Sequence, residues 1–286
     1  MNTQFWLIQA FNGISYGALL FLVGSGLSLI FGVMRIVNLS HGSYFLLGGY
    51  VALSVIWTTG SWALALPVAA LAIAAVGLLM ERIFLRPLGF DPLRQVLLTV
   101  GFAFLFQQAA LDIWTGNNFD INPPEALTRS IVIGGLYLPL YRVFMIATAA
   151  AIGIALWLVM EKTRMGAAVR ATVDDAQMAR GVGIDTSRIS MFIFALGAFL
   201  AALGGVIGGA FLGIYPGLDF EMLPIAFAVV IIGGMGSLGG AAIGAPIVGL
   251  ADNFGKALFP EVSYFTLYAP MALILAVKPT GLFGRE

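Results

Sequence analysis

Residues 223–258 read LPIAFAVVII, then GGMGSLGG, then AAIGAPIVGLADNFGKAL. The first apolar run is about half as long as the roughly 20 residues that a helix needs to cross a bilayer. A glycine-rich run then interrupts it, and glycine favours turns over continuous helix. The pattern predicts a half-helix over 223–232 that enters the membrane and turns, then a separate span over 241–258, with one long kinked helix as the alternative. The residues predicted to form the re-entrant turn are Gly233, Gly234, Gly236, Ser237, Gly239 and Gly240.

The composition is that of a membrane protein. Of the 286 residues 60% are hydrophobic and 10% are charged, whereas soluble domains carry about 25% charged residues. A folded chain of this size still exposes much of its surface, so an ordinary soluble enzyme is excluded. Lysine plus arginine (14) and aspartate plus glutamate (14) balance without any basic tract, which excludes nucleic-acid binding. Because the apolar runs are long and continuous, we predict an all-α polytopic bundle rather than a β-barrel.

Long apolar runs divide the chain into about eight predicted spans besides the half-helix. We expect them to form a single transmembrane domain over residues 1–286. Cysteine is absent and only one histidine occurs, so disulfides, thiolate zinc sites and paired-histidine metal sites are excluded, and we predict neither a metal site nor catalytic residues. The predicted spans run approximately over 9–31, 41–57, 62–84, 95–114, 142–160, 189–211, 241–258 and 264–277.

The distribution of lysine and arginine over the loops predicts the orientation. Segment 81–94 carries three arginines and segment 161–188 carries one lysine and four arginines, whereas segment 115–142 has two arginines against two acidic residues. The positive-inside rule therefore makes the first two segments cytoplasmic and the third external. Counting spans from there puts the amino terminus outside. A half-helix plus a separate span also brings Lys278 and Arg285 to the cytoplasmic side, which favours the broken form of 223–258.

Segment 161–188 is too short for a domain and too charged for the membrane. Its part 170–184 predicts one short helix with Asp174 and Asp175 near its start and Arg180 near its end, which suits the helix dipole. A glycine then stops it. Such a short cytoplasmic helix fits the groove of a partner protein, and the alternative is an ordinary solvated loop. The candidate contact residues are Arg170, Asp174, Asp175, Ala176, Ala179, Arg180, Gly181 and Ile184.

Polar side chains inside the predicted spans are candidates for a transport path. Gln107 and Gln108 fall near the middle of the fourth span, with Thr99 on roughly the same face, and Ser28 lies on a second polar stripe. A buried amide must find hydrogen-bond partners, so these residues either line a solute path or join helices. Glu221 precedes the half-helix, where it stabilises the positive end of the dipole or receives a substrate ammonium group.

A stripe of small residues runs along the sixth span. Its members recur every four residues, so they lie on one face of the predicted helix. We expect this face to pack closely against another helix, within the chain or in a partner, and to leave room for the helices to slide past each other. The stripe consists of Gly197, Ala201, Gly205, Gly209 and Gly213.

The single histidine, His41, opens the second span. We expect Asn38 or Ser40 to cap that helix and His41 to lie in the membrane interface. A proton relay is the alternative, but it needs a second intramembrane titratable group, and none is evident in the first three spans.

Three stretches carry a resemblance to a known family. They are GLSLIFGVMRIVNLSHG at 26–42 followed by LGGY at 47–50, the segment 170–185, and the run 233–240 together with KPTGLFG at 278–284. The chain resembles the LivH-like permease subunits of ABC importers of the branched-chain amino acid type (HAAT family). The resemblance implies a type II ABC importer-like permease fold, with 170–185 in contact with an ATPase. It leaves the solute open among branched-chain amino acids, urea, amides and aromatic acids.

The resemblance also implies partners. No phosphate-binding Gly-x-x-x-x-Gly-Lys-Ser/Thr loop occurs in the chain, so ATP and Mg²⁺ are expected on separate subunits and no cofactor on this one. The implied assembly is a heterodimer with a LivM-like second permease, two ABC ATPase subunits and a periplasmic solute-binding protein, in the bacterial inner membrane. The competing interpretation is a stand-alone passive channel or facilitator, which would carry solute without nucleotide.

Overall fold

Eleven α-helices and one β-hairpin form the part of the chain, residues 3–89 and 91–284, that this computed structural model describes. The hairpin pairs β1 (Ser130–Ile133) with β2 (Leu136–Pro139) in antiparallel fashion. A π-helical turn (Glu81–Leu85) follows α3. The helices are α1 (Thr3–Met34), α2 (His41–Thr59), α3 (Trp62–Met80), α4 (Pro92–Trp114), α5 (Leu140–Lys162), α6 (Arg164–Asp174), α7 (Ala176–Gly181), α8 (Thr186–Leu212), α9 (Leu218–Gly233), α10 (Leu238–Leu258) and α11 (Ser263–Val277).

The predicted polytopic helical bundle is confirmed. Among the described residues five helices are long and apolar enough to cross a membrane, namely α1, α3 with its extension to Leu88, α4, α5 and α8. The pair α9 and α10 adds a sixth candidate if it is counted as one broken span. This number is smaller than the eight predicted spans because α11, with 15 residues, is shorter than a bilayer crossing, and α2 contains histidine, tyrosine and glycine among its apolar residues.

The connection between α1 and α2 is an extended break inside the protein. Nε2 of His41 donates to the carbonyl oxygen of Val23 at 3.0 Å. Val23 lies 11 residues before the end of α1 at Met34, which is about 16 Å of helix. Residues 35–40 therefore run back along α1, so that α2 begins beside the body of α1. The predicted place of His41 in the interface is wrong, because its side chain is fully buried.

The connection between α9 and α10 is a second break. The two helices meet at an angle of 120° across four residues, so the single kinked helix is excluded. Gly234 (φ 104°) and Gly236 (φ 82°) adopt left-handed backbone that other residues disfavour. The first arm of the pair is longer than predicted, since α9 begins at Leu218 rather than 223 and has 16 residues. Ser237 starts α10, and its Oγ accepts from the Gly240 amide at 3.0 Å.

Helix α8 occupies the centre of the bundle and packs against α1, α2 and α3, while α1 also packs along α10. Glycines allow these close approaches. A Cβ on Gly197 would meet Ile30 and the backbone of Gly26 on α1, and a Cβ on Gly205 would collide with the carbonyl oxygen of Phe45 on α2. The small-residue stripe of α8 thus faces helices of its own chain. Its last member, Gly213, ends the helix with φ 77°.

Candidate functional site

The charged segment 161–188 folds as two helices rather than as the one predicted over 170–184. Helix α6 ends at Asp174, and α7 begins after Asp175, whose extended backbone (φ −153°) breaks the helix. Oδ1 of Asp175 accepts from the amides of Gln177 and Met178 at 2.8 and 2.9 Å and caps α7. Asp174 is therefore at a carboxyl end, and Arg170 belongs to the preceding helix. An aspartate next to another favours a cap over a helix interior, which explains the break.

Three arginines anchor this segment to the membrane helices. Arg170 donates to the carbonyl oxygen of Met160 and lies 3.7 Å from the carboxylate of Glu161, both at the end of α5. Nη2 of Arg35, in the break after α1, donates to the carbonyl oxygen of Val173 at 3.3 Å. Nε of Arg180 donates to Oγ1 of Thr186 in the first turn of α8 at 2.8 Å. The segment is thus attached to the ends of α1, α5 and α8.

Two large apolar side chains are exposed at α7, Met178 within the helix and Val182 directly after it, beside the exposed polar residues Gln177 and Arg180. Met178 is 67% exposed and Val182 is 72% exposed, whereas Ala179 is buried and Ala176 and Ile184 are half-buried against the protein. Gly181 is exposed, and a side chain added there would meet nothing within 4 Å. The outward-facing apolar residues are therefore Met178 and Val182, which the sequence analysis did not select, and the predicted Asp174, Asp175, Arg180 and Gly181 are exposed as well. Met178 and Val182 are four residues apart, the spacing at which side chains meet on one face of a helix, and this was the signal in the sequence that could have identified them.

The glycine-rich turn after α9 is held from two sides. The amides of Leu282 and Phe283 in the closing segment donate to the carbonyl oxygens of Ile232 and Gly233, both at 2.9 Å. From the other side, Oγ of Ser28 in α1 donates to the carbonyl oxygen of Ser237 at 3.2 Å. The run 233–240 and the segment 278–284 thus meet in space, whereas Arg285 lies outside the described residues.

The break between α1 and α2 contains a buried polar cluster. Oδ1 of Asn38 accepts from the amide of Ser40 at 3.1 Å and from its Oγ at 2.8 Å. Ser40 precedes α2 but its side chain makes no cap bond, so Asn38 provides the local stabilisation. Oγ1 of Thr99 accepts from the amide of Leu39 at 3.2 Å and thereby joins α4 to the break. Deeper in α2, Oγ of Ser43 donates to Oδ2 of the buried Asp219 at the start of α9, at 3.1 Å.

The five residues predicted as path candidates have different surroundings in the bundle, and their role in a path stays a prediction. Ser28 contacts the turn and Thr99 contacts the break, whereas Gln107 is half-buried on α4. Gln108 is exposed, and its Nε2 donates to Oδ1 of Asp112 one turn away at 2.9 Å. Glu221 is exposed at the start of α9, where it accepts from the hydroxyl of Tyr215 at 2.8 Å. The sequence analysis missed Ser43 and its contact with Asp219, which neither periodicity nor spacing singles out.

An apolar cavity of about 270 Å³ lies between the two breaks. Helix α1, the chain at 36–37 and helix α9 surround it, so it is next to both discontinuities. Its lining consists of Leu27, Phe31, Ile36, Val37, Phe227, Val230, Ile231 and Met235.

A bundle of apolar helices with two internal breaks and a capped helical projection defines a membrane permease, because discontinuous helices are typical of transport proteins. The sequence comparisons give the family. The chain belongs to the branched-chain amino acid transport system permease components, whose family profile matches residues 9–275. The chain is accordingly a multi-pass permease subunit of an importer.

Individual relatives align over nearly the whole chain. The high-affinity branched-chain amino acid transport system permease protein LivH of Escherichia coli K12 is 32% identical over 100% of this chain and 98% of its own length. The corresponding protein BraD of Pseudomonas aeruginosa PAO1 is 28% identical over 98% and 96%. The autoinducer 2 import system permease protein LsrC of Escherichia coli is 27% identical over 86% of this chain and 71% of its own length.

Proposed function

We propose that this chain is the LivH-like half of a heterodimeric permease that imports branched-chain amino acids across the bacterial inner membrane. Its partners are a LivM-like permease, two ABC ATPase subunits that bind ATP and Mg²⁺, and a periplasmic solute-binding protein. The identity of 31–32% to LivH proteins over the full chain supports the solute class. The apolar cavity between the two breaks suits an aliphatic side chain, because burial of methyl groups there removes them from water.

The single observation that carries the coupling role is the exposure of two large apolar side chains, Met178 in α7 and Val182 directly after it. Exposed apolar side chains on a short helix that is firmly attached at both ends form a surface for a partner groove. Met178 and Val182 would enter a groove of the ATPase, and the arginine contacts to α1, α5 and α8 would transmit ATPase closure to the membrane helices. In this orientation 161–188 is cytoplasmic, the amino terminus is external and the hairpin β1–β2 belongs to the external segment that receives the binding protein.

The coupling role is tested by Met178→Asp combined with Val182→Asp in the importer complex. Both side chains are exposed, so the chain should fold normally. A carboxylate in an apolar groove loses its hydration, and we expect ATPase retention on the purified permease and ATP-driven leucine uptake to fall by about tenfold or more. The control is Val132→Asp in the hairpin, where the side chain is 57% exposed and ATPase retention should not change.

Two results would contradict the proposal. Solute-stimulated ATP hydrolysis and uptake at the wild-type level in the double variant would exclude the contact through α7. Leucine flux through liposomes that contain this chain alone, without nucleotide, would favour the passive channel instead.

A further inference from the structure

A cleft of about 390 Å³, lined by several polar residues, separates the segment 161–188 from the end of α3. The π-helical turn Glu81–Leu85 forms one wall, and α6, α7 and the first turn of α8 form the other. The volume lies within the range of about 300–1,000 Å³ that small-molecule sites occupy. The cleft is separate from the apolar cavity between the breaks and from the exposed face of α7.

The cleft contains a buried carboxylate without a partner. Glu81 is 2% exposed, and its Oε2 is buried with no hydrogen bond among the described residues. The guanidinium of Arg86 acts on it electrostatically, and no hydrogen bond joins the two among the described residues. A buried carboxylate that lacks a donor is destabilising. A ligand with a cationic N–H group would supply the missing hydrogen bond.

The remaining walls determine which cation fits. Arg86 brings a guanidinium group to the cleft, where a carboxylate would be recognised, whereas Arg180 also lines the cleft but its Nε donates to Oγ1 of Thr186. The other acidic residue in the lining, Asp185, is engaged by its 2.9 Å ion pair with Arg188. Apolar side chains of Val33, Leu85 and Ile184 complete the walls. Adjacent opposite charges with an aliphatic flank match a zwitterionic amino acid, whereas a lysine of a partner protein would use Glu81 alone.

We infer that this cleft binds a free aliphatic α-amino acid on the cytoplasmic side and thereby inhibits the importer. The ammonium group pairs with Glu81, the carboxylate pairs with Arg86, and the side chain contacts Val33, Leu85 and Ile184. A ligand in this position bridges α3 and the segment that carries α7, so it restrains the motion that ATP closure requires. The cytoplasmic location and the solute class rest on the proposed function.

Binding is tested directly, independently of transport. Radiolabelled L-leucine is titrated by equilibrium dialysis against the importer complex in nanodiscs without the solute-binding protein. We expect saturable binding that Glu81→Gln and Arg86→Gln each weaken by about 10- to 100-fold, as for a lost charged hydrogen bond. Arg82→Gln is the matched control, because Arg82 is an exposed neighbour outside the cleft and its loss should leave the affinity unchanged.

Two analogues separate the charges. Leucinamide keeps the ammonium group but lacks the carboxylate, so it should bind more weakly than leucine, and Arg86→Gln should not weaken its binding further. The second analogue, 4-methylpentanoate, lacks the ammonium group, so Glu81→Gln should not change its binding. Identical leucine affinity in wild type and Glu81→Gln, or no saturable leucine binding in wild type, would overturn the inference. If the wild type does not bind leucine and the Glu81→Gln variant loses its partner subunits, the inference is overturned, and Glu81 instead pairs with a basic side chain of a partner.

Regulation is tested in proteoliposomes that hold ATP and varied L-leucine in the lumen, with binding protein and labelled solute outside. Leucine in the lumen should slow uptake by the wild type about tenfold. It should slow uptake by the Glu81→Gln variant only at a higher lumenal leucine concentration, in proportion to the weaker binding. Normal uptake that lumenal leucine does not affect would refute the inference while the proposed function stands. Absence of ATP-driven leucine uptake would refute the proposed function, and the dialysis result would still decide whether the cleft binds amino acids.

Discussion

Single atoms decide where the central helix α8 can approach its neighbours. At Gly205 the nearest groups are backbone atoms of α2, the carbonyl oxygen of Phe45 and the amide nitrogen of Gly49, and the latter would lie 3.0 Å from an added Cβ. Backbone atoms cannot move aside as a flexible side chain can. A methyl group at this position therefore separates two helices, whereas glycines that face open space tolerate it.

We accordingly predict that Gly205→Ala lowers the free energy of unfolding by about 1–3 kcal/mol, as overpacking does. Gly101→Ala is the matched control in α4, because nothing lies within 4 Å of an added Cβ there and alanine favours helix. Thermal unfolding in detergent, followed by the fluorescence of the five tryptophans, compares the two. Equal melting temperatures for both variants would contradict the close contact between α8 and α2.

Among the elements, the two breaks have the greatest consequence. Half of the chain between α1 and α2 is buried, namely Ile36, Asn38 and Ser40, and the backbone groups buried there need partners inside the protein. Asn38 and Thr99 supply those partners through side chains that replace helical hydrogen bonds. The turn between α9 and α10 is satisfied differently, by the amides of Leu282 and Phe283 and by Ser28. Both breaks are thus defined backbone structures with specific partners.

We predict that Asn38→Ala destabilises the protein by about 1–3 kcal/mol, because the buried amide of Ser40 then loses its acceptor and the hydroxyl of Ser40 keeps only its longer contacts to Tyr44 and Met80. Asn253→Ala serves as the comparison, since Nδ2 of Asn253 only donates to the Gly249 carbonyl one helical turn away. The melting temperature should fall clearly in the first variant and little in the second. A similar fall in both would mean that the break does not depend on Asn38.

For the whole molecule, the distribution of basic residues over the loops predicts which side faces the cytoplasm. The natural chain has no cysteine, so a single introduced cysteine reports its side of the membrane without background. Gln177 in α7 and Val132 in β1 are both exposed and belong to segments predicted on opposite sides. Their labelling pattern tests the orientation of the complete bundle.

We predict that a membrane-impermeant maleimide labels Val132→Cys in intact cells and Gln177→Cys only in inverted membrane vesicles. The physical reason is the positive-inside rule, because segment 161–188 carries five basic residues. Labelling of both cysteines from the same side would contradict the topology. Labelling of Gln177→Cys in intact cells would also exclude the ATPase contact.

Composition and long apolar runs were sufficient to predict an all-α membrane bundle, because a helix is the one way in which a continuous apolar segment satisfies its own backbone in lipid. The glycine run 233–240 was sufficient to predict the break near 233, because the apolar run before it is visibly too short to cross a bilayer and this can be read from the local sequence. Cap residues were less predictable. Asp175 divides the segment 170–184 into two helices because it accepts hydrogen bonds from two following amides. The sequence of this segment was equally compatible with one continuous helix that contains both aspartates.

Tertiary structure alone decided which polar residues share a site. Ser43 and Asp219 are 176 positions apart, and Ser28 and Ser237 are 209 apart, so no periodicity within one helix relates them. The same applies to Glu81, which shares a cleft with Arg180 of a distant segment, and to His41, which the returning chain at 35–40 brings beside Val23. A residue's burial in a helical bundle depends on which helix lies next to it, and that is set by packing between distant segments rather than by local sequence.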